Sequence, residues 1–241
     1  MNELLKFERE GFDFPFYKDG LSKNQWIALI LGFLINAIMV IFSLQIKAIS
    51  PVLFAVLFAV IPTIAFAYAS KGDFSLILKK PVKKDIWLII KMVILSYIFA
   101  FLVGIIIHAF GLSFSRHMGF EVNGILLYIT LAIQLWGEEL LKFLLFIILF
   151  TLLIKYDNSR KNSMVISVAL TLVCFGLLHF NAYSGRIAQI LLMQGLGSIF
   201  TVFAYLKTKN ILVSYICHAS IDFISLAIIL LAHTFHLMPG V

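Results

Sequence analysis

The chain has 241 residues, of which 62% are hydrophobic and 13% charged, with a formal net charge of +7 and a mean hydropathy of +1.04. Soluble domains carry about 45–50% apolar and about 25% charged residues, so the bilayer is the main solvent and the chain reads as one helical membrane domain. The bases lie in short segments between apolar runs, where topology accounts for them and no nucleic-acid partner is needed.

Residues 1–25 include Lys6, Glu8, Arg9, Glu10, Asp13, Lys18, Asp19 and Lys23, too polar for the apolar core of a cleavable signal peptide. They are read as a cytoplasmic N-terminal segment. A helix needs about 20 mostly apolar residues to cross a hydrocarbon core of roughly 30 Å. Seven such runs follow: Trp26–Ile46, Pro51–Ser70, Ile86–Phe110, Gly124–Ile154, Met164–Phe180, Ile187–Leu206 and Ile211–Phe235. The alternation of barrel strands is absent, so the expected fold is all-α, a polytopic transmembrane helix bundle of about seven spans.

Of the 19 Lys and Arg residues, 14 fall in the odd-numbered segments outside the spans, among them Lys71, Lys79, Lys80, Lys83 and Lys84, and Lys155, Arg160 and Lys161. The even-numbered segments hold Lys47, Arg116 and Arg186, and Lys91 and Lys142 lie within spans. The positive-inside rule then puts the N-terminus in the cytoplasm and the C-terminus outside. Cys174 and Cys217 sit in apolar stretches, where a thiol behaves as a small hydrophobe.

Charges at the centre of a span cost roughly 2.5–3.5 kcal/mol each on insertion scales, so their positions are informative. The fourth run places Thr130, Gln134, Glu138 and Lys142 at intervals of four on one helix face, with Glu139 beside them. Lys142 reaches Glu138 at i,i+4 and Glu139 at i,i+3. One lysine offsets one glutamate, so one carboxylate is in excess. The seventh run aligns Ser214, His218, Asp222 and Ser225, with His218 and Asp222 within hydrogen-bonding reach. The fifth ends in Phe175-Gly-Leu-Leu-His179. His108, His117, His233 and His236 stand at span ends, where half-polar rings are common. A Cys217 nucleophile paired with His218 is disfavoured, because helix neighbours point about 100° apart. Gly195, Gly197 and Ser198 are expected to let helices approach closely.

The order Glu138-Glu139, Phe175-x-x-x-His179, His218-x-x-x-Asp222 resembles the CPBP family, which joins CAAX prenyl endopeptidases with bacterial proteins of bacteriocin processing and self-immunity. The stretch Gly197 to His218 is similar to the family's connector into its last motif. The likeness covers about residues 124–235, which divides the chain into residues 1–25, a motif-free 26–123, and a motif-bearing 124–241. Two positions depart from the family: Phe143 stands at the usual Arg, with Lys142 one place earlier, and Asp222 stands at the usual Asn.

The resemblance implies an intramembrane endopeptidase acting on a membrane-associated peptide or protein. Glu138 would be the general base assisted by His179, His218 and Asp222 would stabilise the oxyanion, and Glu139, Lys142 and Phe175 would support them. No cofactor is certain. Zinc is the alternative, with Glu138, His179 and His218 as ligands and an open position for water, although His-Glu-x-x-His is absent. The rival readings are a non-catalytic relative acting in self-immunity or partner binding, and a proton-coupled transporter. The composition fits a multi-pass protein of a bacterial plasma membrane.

Overall fold

The computed structural model describes residues 4–42, 49–112 and 124–234. Lys47, Arg116, His117 and His236, and the expected ends of the first and last spans, lie outside them. Seven helices run in order: α1 Lys23–Phe42, α2 Pro51–Ala69, α3 Lys83–Ala109, α4 Ile125–Lys155, α5 Arg160–Leu178, α6 Ile187–Thr208 and α7 Ile211–Thr234. The chain is a polytopic helical membrane protein. Six of the helices are long and apolar enough to cross a bilayer by themselves. Every 18-residue stretch of the remaining one, α4, contains Glu138, Glu139 and Lys142.

Helix starts follow local chemistry. Ser50 accepts from the Leu53 N–H at 3.3 Å, with Pro51 at the first helical position of α2, and Ser159 accepts from Asn162 to begin α5. Such caps satisfy amides that have no partner within the helix. The cap at Ser159 starts α5 four residues ahead of the apolar run. Helices α1 and α3 likewise begin three residues early, at Lys23 and Lys83, because the first turn of a spanning helix can be polar.

Large apolar side chains on the outer faces of α1 and α3, such as Leu31, Ile38, Ile94 and Phe101, are exposed, as expected where hydrocarbon replaces water outside. Inside the bundle, α4 packs between α2, α5 and α7. Pro62 has no N–H to give the Phe58 carbonyl, which loses its helical partner. The side chain of Asn36 in α1, fully buried, donates to that carbonyl at 2.8 Å. Gly137 of α4 lies against the same place: a Cβ there would stand 2.8 Å from the Phe58 carbonyl oxygen. Three helices thus meet at one freed carbonyl, one residue before Glu138.

The N-terminal segment folds onto one end of the bundle. Phe14 is buried against Phe146, Phe150 and Tyr205. Glu8 lies 2.7 Å from both Arg160 and Lys209, Asp13 is 2.8 Å from Arg160, and Arg9 pairs with Asp85. Lys209 holds a left-handed conformation at φ 48° between α6 and α7, fixed there by the pairing of its ammonium. Arg160 and Lys209, which read in sequence as loop charges, are therefore internal ion-pair partners.

Candidate active site

The middle of α4 and the first half of α7 face each other, tied by the Tyr215 hydroxyl, which donates to the Ala132 carbonyl at 3.1 Å. From α3, the Tyr97 hydroxyl donates to the Ile221 carbonyl at 2.7 Å and meets Ser225 at 3.0 Å. This brace sits on the turn of α7 that carries Asp222.

The two adjacent glutamates have different surroundings. Glu139 is buried, and Lys142 Nζ lies 2.5 Å from its Oε1. Its Oε2 accepts a short hydrogen bond from Ser214, whose hydroxyl also reaches the Thr201 carbonyl at 2.8 Å. Lys142 donates to Thr201 Oγ1 at 3.1 Å and stands 4.6 Å from the centre of the Phe175 ring. Of the two reaches open to Lys142 in the sequence, the direct ion pair is the i,i+3 one. Phe143, at the family's arginine position, points instead into the core between Phe66 and Tyr205.

Glu138 is the excess carboxylate. Its Oε1 accepts from Gln134 at 2.9 Å, and its Oε2 lies 3.9 Å from His218 Nε2. The His218 ring has Nδ1 2.8 Å from Glu139 and Nε2 3.9 Å from Asp222. The direct His218–Asp222 hydrogen bond that i,i+4 spacing allows is not formed, because the ring is turned toward Glu139. The Glu138 and His218 side chains are each 13% exposed and that of Asp222 is 36%, so the three line an accessible recess above the closed Glu139–Lys142 pair.

His179 ends α5. Its Nδ1 is 2.8 Å from the Phe175 carbonyl, and Phe175 packs edge-on at 4.7 Å. It lies within electrostatic reach of Glu138 and Asp222. Cys217 faces away from the recess, buried with Leu88, Ile89, Met92 and Val213, and His108 is exposed near the end of α3. Among the described residues no three His, Cys, Asp or Glu side chains converge as a metal-binding group. The Nδ1 atoms of both histidines face the Phe175 carbonyl and Glu139, which leaves Nε2 as the nitrogen either ring could offer to a metal.

Residues 120–224 match the family model described as Type II CAAX prenyl endopeptidase Rce1-like. The matched stretch, less than half of the chain, is similar to that family. No curated protein and no solved structure matches the chain. The Rce1-like stretch spans the whole recess, from the helix bearing Glu138 to Asp222. Sequence reading missed Thr201, Tyr183 and Gln194 around it. Gln194, an amide within an apolar run, carried the only visible signal.

Proposed function

We propose that the protein is an intramembrane endopeptidase in which Glu138 activates a water molecule against a peptide bond of a membrane-associated peptide or protein. The observation that carries this reading is the contrast between adjacent glutamates. Glu139 is closed off and neutralised by Lys142, whereas Glu138 is held by Gln134 at the edge of an accessible recess. Two carboxyl groups in unlike environments are the usual basis for assigning unlike roles.

In the proposed reaction, Glu138 takes a proton from water as the water oxygen attacks the scissile carbonyl carbon. The gap of 3.9 Å between Glu138 Oε2 and His218 Nε2 suits a bridging water. Negative charge passes to the carbonyl oxygen, where His218, its Nδ1 against Glu139, and Asp222, each in its protonated form, donate hydrogen bonds. The tetrahedral carbon expels the amine, which takes up the proton that Glu138 removed. His179 assists Glu138 from the end of α5.

Membrane-peptide profiles of cells producing the wild type and Glu138→Gln at equal levels test this, since the substitution keeps shape and removes the base. A peptide or trimmed protein present only with the wild type is expected. Identical profiles would return the chain to the non-catalytic reading that the Phe143 and Asp222 departures favour.

A further inference from the structure

The loop after α5 and the middle of α6 form a second polar path to the recess. The Tyr183 N–H donates to the His179 carbonyl at 3.1 Å, and its ring lies 6.2 Å from the imidazole at 38°. Phe175 packs on the imidazole edge-on at 4.7 Å, so His179 has two aromatic neighbours. The phenol oxygen of Tyr183 accepts from Gln194 Nε2 at 2.8 Å.

Gln194 belongs to a π-helical turn, Ile190–Gly195, inside α6, which passes through a 3-10 turn at Leu196–Ser198 before its regular second half. Such turns widen a helix by one residue and are costly, and they recur at functional sites. This one coincides with a close approach of the α5 and α6 backbones. A Cβ on Gly195 would stand 2.9 Å from the Leu172 carbonyl, and one on Gly176 would stand 2.9 Å from the Ile190 carbonyl. The widened turn therefore presents its amide from a backbone pressed against the helix that ends in His179. Burial, with the nearby carboxylates of Asp222 and Glu138, pushes the Tyr183 phenol above its ordinary range, so it keeps its proton.

We infer that Tyr183 and Gln194 are a positioning pair that holds the His179 imidazole in one orientation toward Glu138. The inference rests on the proposed pairing of Glu138 with His179, and it gives the π turn of α6 a role in the reaction. Nδ1 is committed to the Phe175 carbonyl, so the orientation of the ring decides where Nε2 is aimed.

The test uses the full chain in nanodiscs carrying nitrogen-15 histidine, with the His179 signals assigned by their loss in His179→Gln. In the wild type, His179 should show a single ring form with its proton on Nδ1. Tyr183→Phe, Gln194→Leu and the double variant should each give the same averaged tautomer signal, because they break a single path. Turnover of a farnesylated CAAX reporter peptide should show kcat lowered roughly tenfold to a hundredfold with KM unchanged, as expected for a misplaced group. His179 signals identical to wild type in both single variants would overturn the inference, including when thermal unfolding shows both folded. A wild type that leaves the reporter intact would count against the catalytic reading of Glu138, and the histidine spectra would still decide the positioning.

Discussion

Lys142→Met would leave the buried Glu139 carboxylate facing only His218 and Ser214. Breaking one side of a buried ion pair costs about 3–5 kcal/mol, so a marked fall in the thermal unfolding midpoint in detergent is expected. Glu139→Gln combined with Lys142→Met should recover most of that loss, since the orphaned charge is then gone. Asp222→Asn has the opposite character. A carboxyl group donates a hydrogen bond only when protonated, whereas an amide donates at any pH. The substitution should therefore preserve cleavage and extend it to higher pH, read as initial rates on the peptide found only with the wild type. An inactive Asp222→Asn protein would remove Asp222 from the oxyanion role. At this scale Glu138, Glu139, Lys142, His218 and Asp222 were legible in sequence because charge is rare in a span. Thr201 was not, because a hydroxyl in an apolar run satisfies its own helix as often as a neighbour, and Tyr183 was not, because it lies in the loop between two runs.

Hydropathy locates where hydrocarbon lies around a helix, and capping locates where the helix begins. The seven runs thus marked the seven helices, while the starts of α1, α3 and α5 were missed by three or four residues. The part played by the first spans was also hidden. Asn36 and Pro62 carry no catalytic signature, and their meaning arises only when the Phe58 carbonyl they share meets Gly137. Gly137→Ala should separate α2 from α4, because its methyl group would collide with backbone and ring of Phe58. Overpacking of this kind costs typically about 1–3 kcal/mol. Because the next residue is Glu138, turnover should fall more than stability does, a difference that paired activity and unfolding measurements would reveal. Phe58→Ala in the same protein should not rescue it, since the carbonyl obstructs as well as the ring.

Across the whole molecule, the ionic cluster around Glu8 ties the N-terminal segment to α5 and to the α6–α7 junction. Burial acts to raise the Glu8 carboxyl, but hydrogen bonds from Arg160, Lys209 and the Leu5 N–H outweigh it and hold it below its ordinary 4.5. A carboxyl lowered by folding contributes stability that is present above its unfolded value and lost as pH falls through its folded value. Unfolding midpoints should therefore decline on acidification below about 4.5, and Glu8→Gln should lower stability at neutral pH while flattening that decline. Phe14→Ala should cost about 3–5 kcal/mol by emptying a buried ring site. In the sequence these bases stood only as topological markers, because a Lys or Arg beside a span looks the same whether it meets water, a carboxylate 152 residues away or a backbone carbonyl 200 residues away in the chain.

That separation bears on how the protein is made. Chains are synthesised from the N-terminus at about 5–20 residues per second, so Glu8 and Arg9 emerge long before their partners. The Arg9 N–H bonds the Lys207 carbonyl, and Lys209 meets both Glu8 and the Arg9 carbonyl. Asp85, Phe146 and Arg160 offer the opening residues earlier partners, but the set is complete only when the sixth helix has left the ribosome. Completion of that end is then a late event in biogenesis, and a chain truncated ahead of Lys209 holds its opening residues by only part of their contacts.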